Sequence, residues 1–331
     1  MQELIQSLKS SERLTHKQGI SSLWDYFPKT CEIEGQEVLL GDDAAAVKSG
    51  DDYLLLAAEG VYQPLIESNP YLAGRTAVLT NVNDIYAMGG KPVAITDVLF
   101  SPDTGSAEEV MRGISDNAAR YEVPVVGGHL SEGAEHPSLA GFILGKARKL
   151  LSSFTALPGD DLVFISNLKG KFNTEFNFWD SSSMLEAQDA LGQLRSITEI
   201  AEAELADTAK DVSMAGLIGS ILMLLESSGK GAEIYIDSIQ RPYEVPLSEW
   251  LLTFPSFGFI LSLRPDKTPA VKEIFGKQDI SCESIGKVTS EKTVFFVNGQ
   301  EERELFWDLN ERSLIGINGD QRERIARSGG G

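Results

Sequence analysis

Cysteine and histidine are scarce in this sequence, and neither occurs at the spacing of a metal site. The 331 residues include only two cysteines, Cys31 and Cys282, and three histidines, His16, His129 and His136. Two cysteines so far apart in sequence form neither a disulfide framework nor a zinc knuckle. This usage is consistent with a reducing compartment, and we expect a cytoplasmic protein.

Long apolar runs are also missing. The longest ones, such as Tyr53–Ala58, have the length of a strand and fall far short of the roughly 18 residues that span a bilayer. Met1–Ser10 has no basic flank followed by an apolar stretch, so we expect no signal peptide. The sequence therefore predicts no membrane association.

Positive charge is in short supply, with 29 Lys and Arg against 49 Asp and Glu and a formal net charge of −20. So acidic a chain is a poor partner for nucleic acid or for an anionic membrane surface. A phosphorylated ligand remains compatible with this charge when Mg²⁺ shields the phosphate. The apolar fraction of 42% is that of a globular protein, and the length suggests about two domains.

The common glycine motifs for nucleotides and nucleophiles do not occur either. We find no Gly-x-x-x-x-Gly-Lys-Ser/Thr, no Gly-x-Gly-x-x-Gly and no Gly-x-Ser-x-Gly. These absences argue against a P-loop, a dinucleotide-binding fingerprint and a hydrolase nucleophile elbow. Any nucleotide site must therefore be built from other residues.

Helix and strand patterns are interleaved along the chain without strict alternation. We therefore predict an α+β fold with two domains, 1–150 and 151–331, because a turn signal within Lys149–Asp161 separates two apolar strands. Lys169–Ser183 is rich in Asn, Ser and Phe and indicates a mobile loop. Helical periodicity is present at Met1–Lys9, Ile20–Phe27, Ala73–Met88, Ala107–Tyr121, Ser182–Leu205, Met214–Ser227 and Thr268–Phe275. Strand-like runs are present at Tyr53–Ala58, Val93–Phe100, Val123–Val126, Leu139–Leu144, Leu162–Ser166, Glu233–Ile236, Phe257–Leu263, Ser284–Val288 and Thr293–Val297.

Two adjacent carboxylates open the first motif, Gly41-Asp42-Asp43, which continues as a run of small residues to Val47. Such a pair can bridge a divalent cation to phosphate oxygens, because hard cations prefer oxygen ligands. An ordinary turn is the alternative, and it also explains the pairs Asp51-Asp52 and Asp160-Asp161. The small residues that follow Asp43 leave room for a ligand to approach the backbone.

The second motif is Asn81–Pro92, where an apolar helix ends at Gly-Gly before a buried strand. A helix C-cap explains the glycines. Asn83 and Asp84, however, lie inside the apolar helix, with Arg75 about two and a half turns upstream. Polar groups in such a place need protein partners or a ligand.

Two further segments place polar side chains next to glycine. Val125–Gly133 indicates a buried strand that ends in Gly127-Gly128 and presents His129 to a ligand, although a lone histidine is more often structural. Lys210–Gly219 includes Asp211 and Ser213, either of which can cap the following helix. The same helix N-terminus favours anions.

Taken together and in this order, the motifs resemble those of the aminoimidazole ribonucleotide (AIR) synthetase superfamily, over roughly residues 15–300. The superfamily also includes thiamine-monophosphate kinase, selenophosphate synthetase and a hydrogenase maturation factor that dehydrates a carbamoyl group. In the first half the likeness is greatest to the thiamine enzyme, through Gly41-Asp42-Asp43-Ala44, Gly74-Arg75, Asn83-Asp84, Ala87-Met88-Gly89 and Gly127-Gly128. In the second half it rests on Pro158-Gly159-Asp160, Asp211-Val212-Ser213 and Ile285-Gly286-Lys287-Val288.

The resemblance implies an N-terminal α+β domain whose sheet helps to form a β-barrel in a homodimer, and a C-terminal α+β sandwich. It implies ATP and Mg²⁺ as cofactors and a small-molecule acceptor bound between the domains, near Asp211, Ser213 and Thr253–Gly258. The implied metal ligands are Asp42, Asp43, Glu59 and Asp84. The implied nucleotide contacts are Lys17, Asp42, Asp43, Arg75, Asn83, Asp84, Gly127, Gly128, Asp211 and Ser213, and the implied catalytic residues are His129 and Asp84.

Three positions depart from the kinase-like relatives, which have Asp where this chain has Glu59, His129 and Met214. Selenophosphate synthetases share the Gly-Gly-His sequence. Because the loss of anionic ligands weakens a Mg²⁺ cluster, plain thiamine-monophosphate kinase activity is disfavoured. We expect an ATP- and Mg²⁺-dependent phosphotransferase or ligase-like enzyme of an AIR synthase-related branch. A divergent thiamine-monophosphate kinase, a non-catalytic nucleotide-binding dimer and a purely structural dimer with no ligand are the alternatives.

Overall fold

The computed structural model describes residues 1–317, and the chain divides into two compact units. Unit 1 contains Met1–Asp42, Leu151–Met184 and the chain from Ile200 onward. Unit 2 contains Asp43–Leu150 and Leu185–Glu199. The first 42 residues thus cluster with the later part of the chain. The domain bounds 1–150 and 151–331 stay a prediction, and residues 318–331 lie outside the described part.

Helices and strands alternate irregularly along the described chain. The α-helices are α1 (Gln2–Lys9), α2 (Glu12–Lys17), α3 (Gln63–Ser68), α4 (Pro70–Ala87), α5 (Thr104–Arg120), α6 (Ala187–Glu202), α7 (Gly216–Ser228), α8 (Leu247–Trp250) and α9 (Thr268–Gly276), with 3₁₀ turns at Gln18–Asp25 and Ile236–Ser238. The first strands are β1 (Thr30–Ile33), β2 (Gln36–Leu39), β3 (Ala45–Ser49), β4 (Asp52–Gly60), β5 (Lys91–Ser101), β6 (Val125–Glu132), β7 (Ser138–Ala147) and β8 (Asp161–Ser166). The later ones are β9 (Lys171–Asn173), β10 (Phe178–Asp180), β11 (Thr208–Asp211), β12 (Gly231–Tyr235), β13 (Phe254–Pro255), β14 (Gly258–Leu263), β15 (Ser281–Thr289), β16 (Thr293–Val297) and β17 (Arg303–Asp308).

Unit 2 is built on a five-stranded sheet of order β3-β4-β7-β5-β6, in which only β5 and β6 run parallel. Helix α4 packs on β4, β7 and β5, and α5 packs beside it on β5 and β6. Helix α4 begins where the Asn69 side chain accepts a hydrogen bond from Leu72 N at 3.0 Å, with Pro70 in the first turn. A polar cap and an early proline are typical helix starts.

The two faces of this sheet differ sharply in burial. On the face covered by α4 and α5, Leu55 and Leu99 are fully buried. On the other face, Leu56 is 59% exposed, Phe142 41% and Phe100 40%. Contiguous exposed apolar residues of this kind mark an interaction surface.

Unit 1 contains a seven-stranded sheet of order β11-β14-β8-β15-β12-β16-β17, with small sheets β13-β10-β9 and β1-β2. Helix α7 packs on β11, β12 and β14, and all its residues are buried. Leu8 and Leu14 of the N-terminal helices and Leu314 belong to the same core as α7. Because the helix is surrounded by core, its sequence is predominantly apolar on every side.

The α+β fold class predicted from the sequence is confirmed, whereas the barrel of a homodimer stays a prediction. Two local expectations are wrong. Lys169–Ser183, expected to be a mobile loop, contains β9 and β10, and Trp179 is buried there with its indole nitrogen donating to Asn167 O at 2.8 Å. Val125–Gly133 is not a buried strand that ends at the glycine pair; Val125–Glu132 is a largely exposed edge strand with the glycines inside it. Within residues 1–317, no helix is long and apolar enough to cross a membrane.

Candidate functional site

Two of the predicted acidic residues meet in unit 2. Asp84 lies on α4 and is 5% exposed, while Asp43 is half-buried and immediately precedes the Ala44-Ala45-Ala46 run that enters β3. One carboxylate oxygen of Asp43 and one of Asp84 lie within 4.8 Å of each other. Two carboxylates this close repel each other unless a cation or a proton lies between them.

The surroundings of Asp84 on α4 are polar although the helix is buried. Asn81 and Asn83 are 0% and 1% exposed, and Asn81 Nδ2 donates to Ala77 O at 2.8 Å. Buried amides and carboxylates in a helix that packs on a sheet cost free energy unless they serve a ligand or a network. The structure therefore keeps the predicted Asn83-Asp84 pair inside unit 2, next to Asp43.

Asp42 has different surroundings from Asp43, although the two are adjacent. It belongs to unit 1, where its carboxylate accepts from Ser152 Oγ at 2.6 Å and from Ser153 N at 3.1 Å. The hydrogen bonds give Asp42 a role in anchoring the loop, whereas the carboxylate of Asp43 lies close to that of Asp84.

Glu59 lies at the exposed end of β4 in a row of residues that crosses the sheet of unit 2. Its strand pairs it with Gly141 of β7, Gly141 pairs with Asp97 of β5, and Asp97 pairs with Gly128 of β6. Leu55 and Ala57 of β4 are buried under the helices, and alternation along the strand places Glu59 on that same face. The row thus has a carboxylate on β4 and another on β5.

Asp97 is the residue of this row that the sequence interpretation missed. It is 6% exposed, its Oδ2 has no hydrogen-bond partner among residues 1–317, and burial raises the pKa of its carboxyl group. A Cβ at Gly128 would lie 2.6 Å from its Oδ1, so glycine at that position makes room for the carboxyl group. An aspartate at a helix-facing position of an apolar strand is the signal that could have identified it.

His129 and Gly127 lie on the opposite face of the sheet from this row. The His129 ring stands 6.2 Å from the ring of Phe100, centroid to centroid, on the uncovered face. Within one chain the structure therefore does not bring His129 together with Asp84, which lies on a helix covering the other face.

Arg75 is also turned away from the acidic pair. Its Nε donates to Asn117 Oδ1 of α5 at 3.0 Å, and Asn117 Nδ2 donates to Arg75 O at 2.7 Å. Nine residues separate Arg75 from Asp84 on α4, about two and a half helical turns, so the two project from opposite sides of the helix. The structure gives Arg75 a role in joining α4 to α5.

The remaining predicted contacts belong to unit 1. Lys17 is the half-buried last residue of α2, and Asp211 is the last residue of β11 and 5% exposed. Ser213 N donates to Ser220 Oγ at 2.9 Å, and Ser213 Oγ is buried without a partner among the described residues. Asp211 and Ser213 shortly precede the start of α7, and the role of all three residues toward a nucleotide stays a prediction.

Comparisons with known proteins agree with the fold. A protein of Synechocystis sp., Uncharacterized protein sll0787, is 39% identical over 319 residues, which are 96% of this chain and 99% of that protein. The structure of T. maritima PurL complexed with ADP matches 93% of this chain with a TM-score of 0.74 and 18% identity. The structure of AaThiL complexed with AMPPCP and TMP matches 81% of this chain and 92% of the AaThiL chain, with a TM-score of 0.61 and 20% identity. The chain spans about half of the PurL chain, 52%.

Two family models cover most of the sequence. The N-terminal domain of AIR synthase related protein matches residues 41–147, and the C-terminal domain of the same family matches residues 159–298. The first match begins at the Gly41-Asp42-Asp43 motif and includes Asp84, Asp97 and His129. The chain belongs to the AIR synthase related protein family.

Proposed function

We propose that this protein is an ATP- and Mg²⁺-dependent phosphotransferase or ligase-like enzyme that acts on a small-molecule acceptor. The observation that carries the proposal is the Asp43–Asp84 pair, two carboxylates with one oxygen each that lie within 4.8 Å of each other. The chain also has structural neighbours in complex with ADP and with ATP. Phosphoryl transfer depends mainly on positioning and charge neutralisation. It therefore needs no strong nucleophile from the protein.

The donor set of the pair fits Mg²⁺. Oxygen ligands are what a hard divalent cation prefers, and bonds of about 2.1 Å to each oxygen span up to about 4.2 Å. Asp43 is half-buried and next to small residues, so its side chain has room to adjust to this span. When bound, Mg²⁺ would neutralise negative charge on the nucleotide phosphates.

The other residues of the chain take supporting roles in this proposal. Asp42 holds the loop through Ser152 and Ser153, and Asn83 orients the nucleotide from α4 beside Asp84. Glu59, on the same face of the sheet, adds negative charge toward the metal. Lys17, Asp211 and Ser213 of unit 1 are proposed nucleotide contacts, and Gly127 and Gly128 let a ligand approach β6.

A homodimer through the uncovered face of the unit 2 sheet is part of the proposal. The exposed side chains of Leu56, Phe100 and Phe142 form an apolar surface that a second copy of the same face would cover. His129 lies on that face, so it would act at the subunit interface. Light scattering of the wild type and of Leu56→Lys tests this: we expect a dimer and a monomer, respectively, and a monomeric wild type contradicts it.

The experiment that tests the activity combines binding and turnover. Calorimetry with ATP, in the presence of Mg²⁺ and of EDTA, should show binding only with Mg²⁺, because the acidic groups repel unshielded phosphates. Release of ADP is then measured with small amides, carbamoyl compounds and phosphorylated metabolites as acceptors. Binding of ATP that is unchanged by EDTA rules out the carboxylates as metal ligands.

A non-catalytic nucleotide-binding dimer is the second candidate. It is favoured by the position of His129 on the face away from Asp84, and by Met214, which is 46% exposed where kinase-like relatives have an acid. Nucleotide binding with no ADP release for any acceptor would support this sensor role. Turnover with one acceptor would exclude it.

A further inference from the structure

Glu226 is a buried carboxylate that no step of the proposed reaction uses. It lies in the last turn of α7 and is 5% exposed. Its Oε2 accepts from Leu314 N at 2.8 Å and from Ile315 N at 2.9 Å, and its Oε1 accepts from Gly316 N at 2.9 Å and from the Ser313 hydroxyl. One side chain therefore holds a stretch of chain that lies almost ninety residues away.

The chemistry of α7 makes this acid unusual. Glu226 is the only charged residue of the helix, whose other members are apolar or small. An acid near a helix C-terminus is unfavourable, because that end of the helix carries partial negative charge. Burial of an ionised carboxylate costs several kcal/mol more unless hydrogen bonds satisfy it. The four donors of Ser313–Gly316 offset both costs, so the position of Glu226 is explained by the segment that it binds.

The segment bound by Glu226 contacts the first acidic motif at Gly41, through Ile317. Trp24 Nε1 donates to Ile315 O at 2.6 Å, and Lys29 Nζ donates to Gly316 O at 2.8 Å. Ile317 is 1% exposed and packs on Gly41. A Cβ at Gly41 would lie 2.1 Å from Ile317 Cδ1, and the φ of Gly41 is +104°, so only glycine allows this approach.

The acidic loop is thus held from two directions within unit 1. Ser152 and Ser153 donate hydrogen bonds to the carboxylate of Asp42. Ile317, at the end of the segment that Glu226 anchors, packs against Gly41. Asp43, the carboxylate proposed to bind the metal, is the next residue of the chain. Movement of Ile317 would therefore change the backbone that presents Asp43.

We propose that Glu226 is a positioning residue: by anchoring Ser313–Ile317 it fixes Gly41 and sets the geometry in which Asp43 is presented to a divalent cation. The inference rests on the proposed function, since it assigns Glu226 to the same metal site. Groups that support metal ligands from outside typically contribute about 10-fold to 100-fold in metal affinity. Glu226 is expected to act at that level, without touching the ligand.

The test uses the full-length protein with Mn²⁺ alone as the probe, measured by calorimetry, together with amide hydrogen exchange. Glu226→Gln keeps the shape but loses the charge that orders three backbone N–H groups. Ile317→Ala leaves those hydrogen bonds in place and removes the contact with Gly41. Glu302→Gln is the matched control, because Glu302 is exposed and accepts from Asn298 Nδ2 in the turn between β16 and β17.

We expect Glu226→Gln and Ile317→Ala each to weaken Mn²⁺ binding about 10-fold or more and to speed exchange at residues 40–43, with Glu302→Gln like the wild type. Faster exchange at 313–317 is expected for Glu226→Gln as well. Unchanged exchange at 40–43 in a folded Glu226→Gln overturns the inference, and so does unchanged Mn²⁺ affinity. Absence of Mn²⁺ binding by the wild type contradicts the proposed function instead, and the exchange at 40–43 still decides whether Glu226 orders the loop. If Glu226→Gln does not fold, Ile317→Ala carries the same comparison.

Discussion

The cores of the two units are built on different principles. Around α7 in unit 1 the core is apolar on every side, and the helix has a single charged residue, Glu226, which is fully engaged by hydrogen bonds. Beneath α4 in unit 2 the core contains Asn81, Asn83, Asp84 and Asp97. Burial of amide and carboxyl groups costs stability unless protein partners or a ligand compensate for the lost hydration. The difference teaches that the buried polar groups beneath α4 surround the acidic pair of the proposed site, whereas the buried acid of α7 is part of a hydrogen-bond network within unit 1.

The largest effect of a substitution on ligand binding is expected at the acidic pair of unit 2, and its absence would contradict this comparison of the two cores. Asp43→Asn and Asp84→Asn each remove a full charge from a metal ligand and should reduce Mg²⁺-dependent ATP binding or turnover by 10²-fold or more, about 2.7 kcal/mol. The fold should persist, because Asp43 is half-buried and the amide is isosteric. Calorimetry with Mg·ATP, beside thermal melts of each variant, measures both.

The control for the acidic pair is Asp52→Asn, which causes the same change in net charge within unit 2. The sequence suggests that Asp52 lies in a surface turn, but the structure makes it the first residue of β4, with Lys146 Nζ at 2.7 Å from Oδ2. A partly exposed ion pair of this kind contributes about 1 kcal/mol or less, so ATP binding should be unaffected. If Asp52→Asn and Asp43→Asn behave alike in folded protein, the first motif is only a structural turn.

A substitution in the core of unit 1 is expected to have a smaller effect, and on stability rather than on binding. Ile221 is fully buried on α7, and Ile221→Val removes one methyl group at a cost of about 0.5–1.5 kcal/mol in the free energy of unfolding. Metal and ATP binding by the folded protein should be unchanged. Urea denaturation measures the stability and calorimetry the binding; a tenfold loss of binding without global unfolding would show that this core is coupled to the site.

Much of the fold was readable from the sequence because periodicity reflects burial. Helices Ala73–Met88 and Ala107–Tyr121 correspond to α4 and α5, each begun a turn earlier by a cap residue, Asn69 or Asp103. The strand of Tyr53–Ala58 corresponds to β4. Short strands such as β3 escaped prediction, because five residues give too little periodicity and sheet pairing fixes their conformation. The edge strand β6 was misread because an apolar pair before glycine does not reveal whether a neighbour covers it.

The site was readable only where its residues are adjacent in sequence. Asp43 and Asp84 stand in recognisable motifs, and the structure brings their carboxylates together. Asp97 escaped because its meaning depends on Gly128, which lies beside it only through strand register. Glu226 escaped because its partners are 87 to 90 residues away. Which face of a strand or helix a motif residue occupies, as for His129 and Arg75, likewise depends on tertiary packing.

The smallest expected effect is a dependence of stability on pH, with opposite signs in the two cores. Burial raises the pKa of Asp97 above its value of about 3.9 in the unfolded chain. For Asp161 of β8, burial alone would raise the pKa, but hydrogen bonds from Lys287 and Thr268 hold it below its ordinary value. The Lys287 Nζ lies 2.7 Å from Asp161 Oδ1, and Thr268 Oγ1 donates to Oδ2 at 2.6 Å, so this acid is not in the ordinary turn that the sequence suggests.

The sign of each contribution follows from which state binds more protons. Native Asp97 retains its proton above pH 3.9, so stability falls as pH rises from the unfolded pKa through the raised folded pKa. Asp97→Asn removes that loss. Relative to the wild type, the variant should gain stability as pH rises from about 4 and then stay level.

Asp161 contributes stability at neutral pH that is lost as pH falls through its lowered folded pKa. Asp161→Asn should therefore destabilise at neutral pH, and less so in acid. Urea denaturation of the three proteins from about pH 2 to pH 8 measures both trends, because the contribution of Asp161 is lost only below about pH 3.9. A gain for Asp97→Asn that shrinks with rising pH would mean that Asp97 is ionised and stabilised in the native state, and that the core beneath α4 holds a cation or donor at this position.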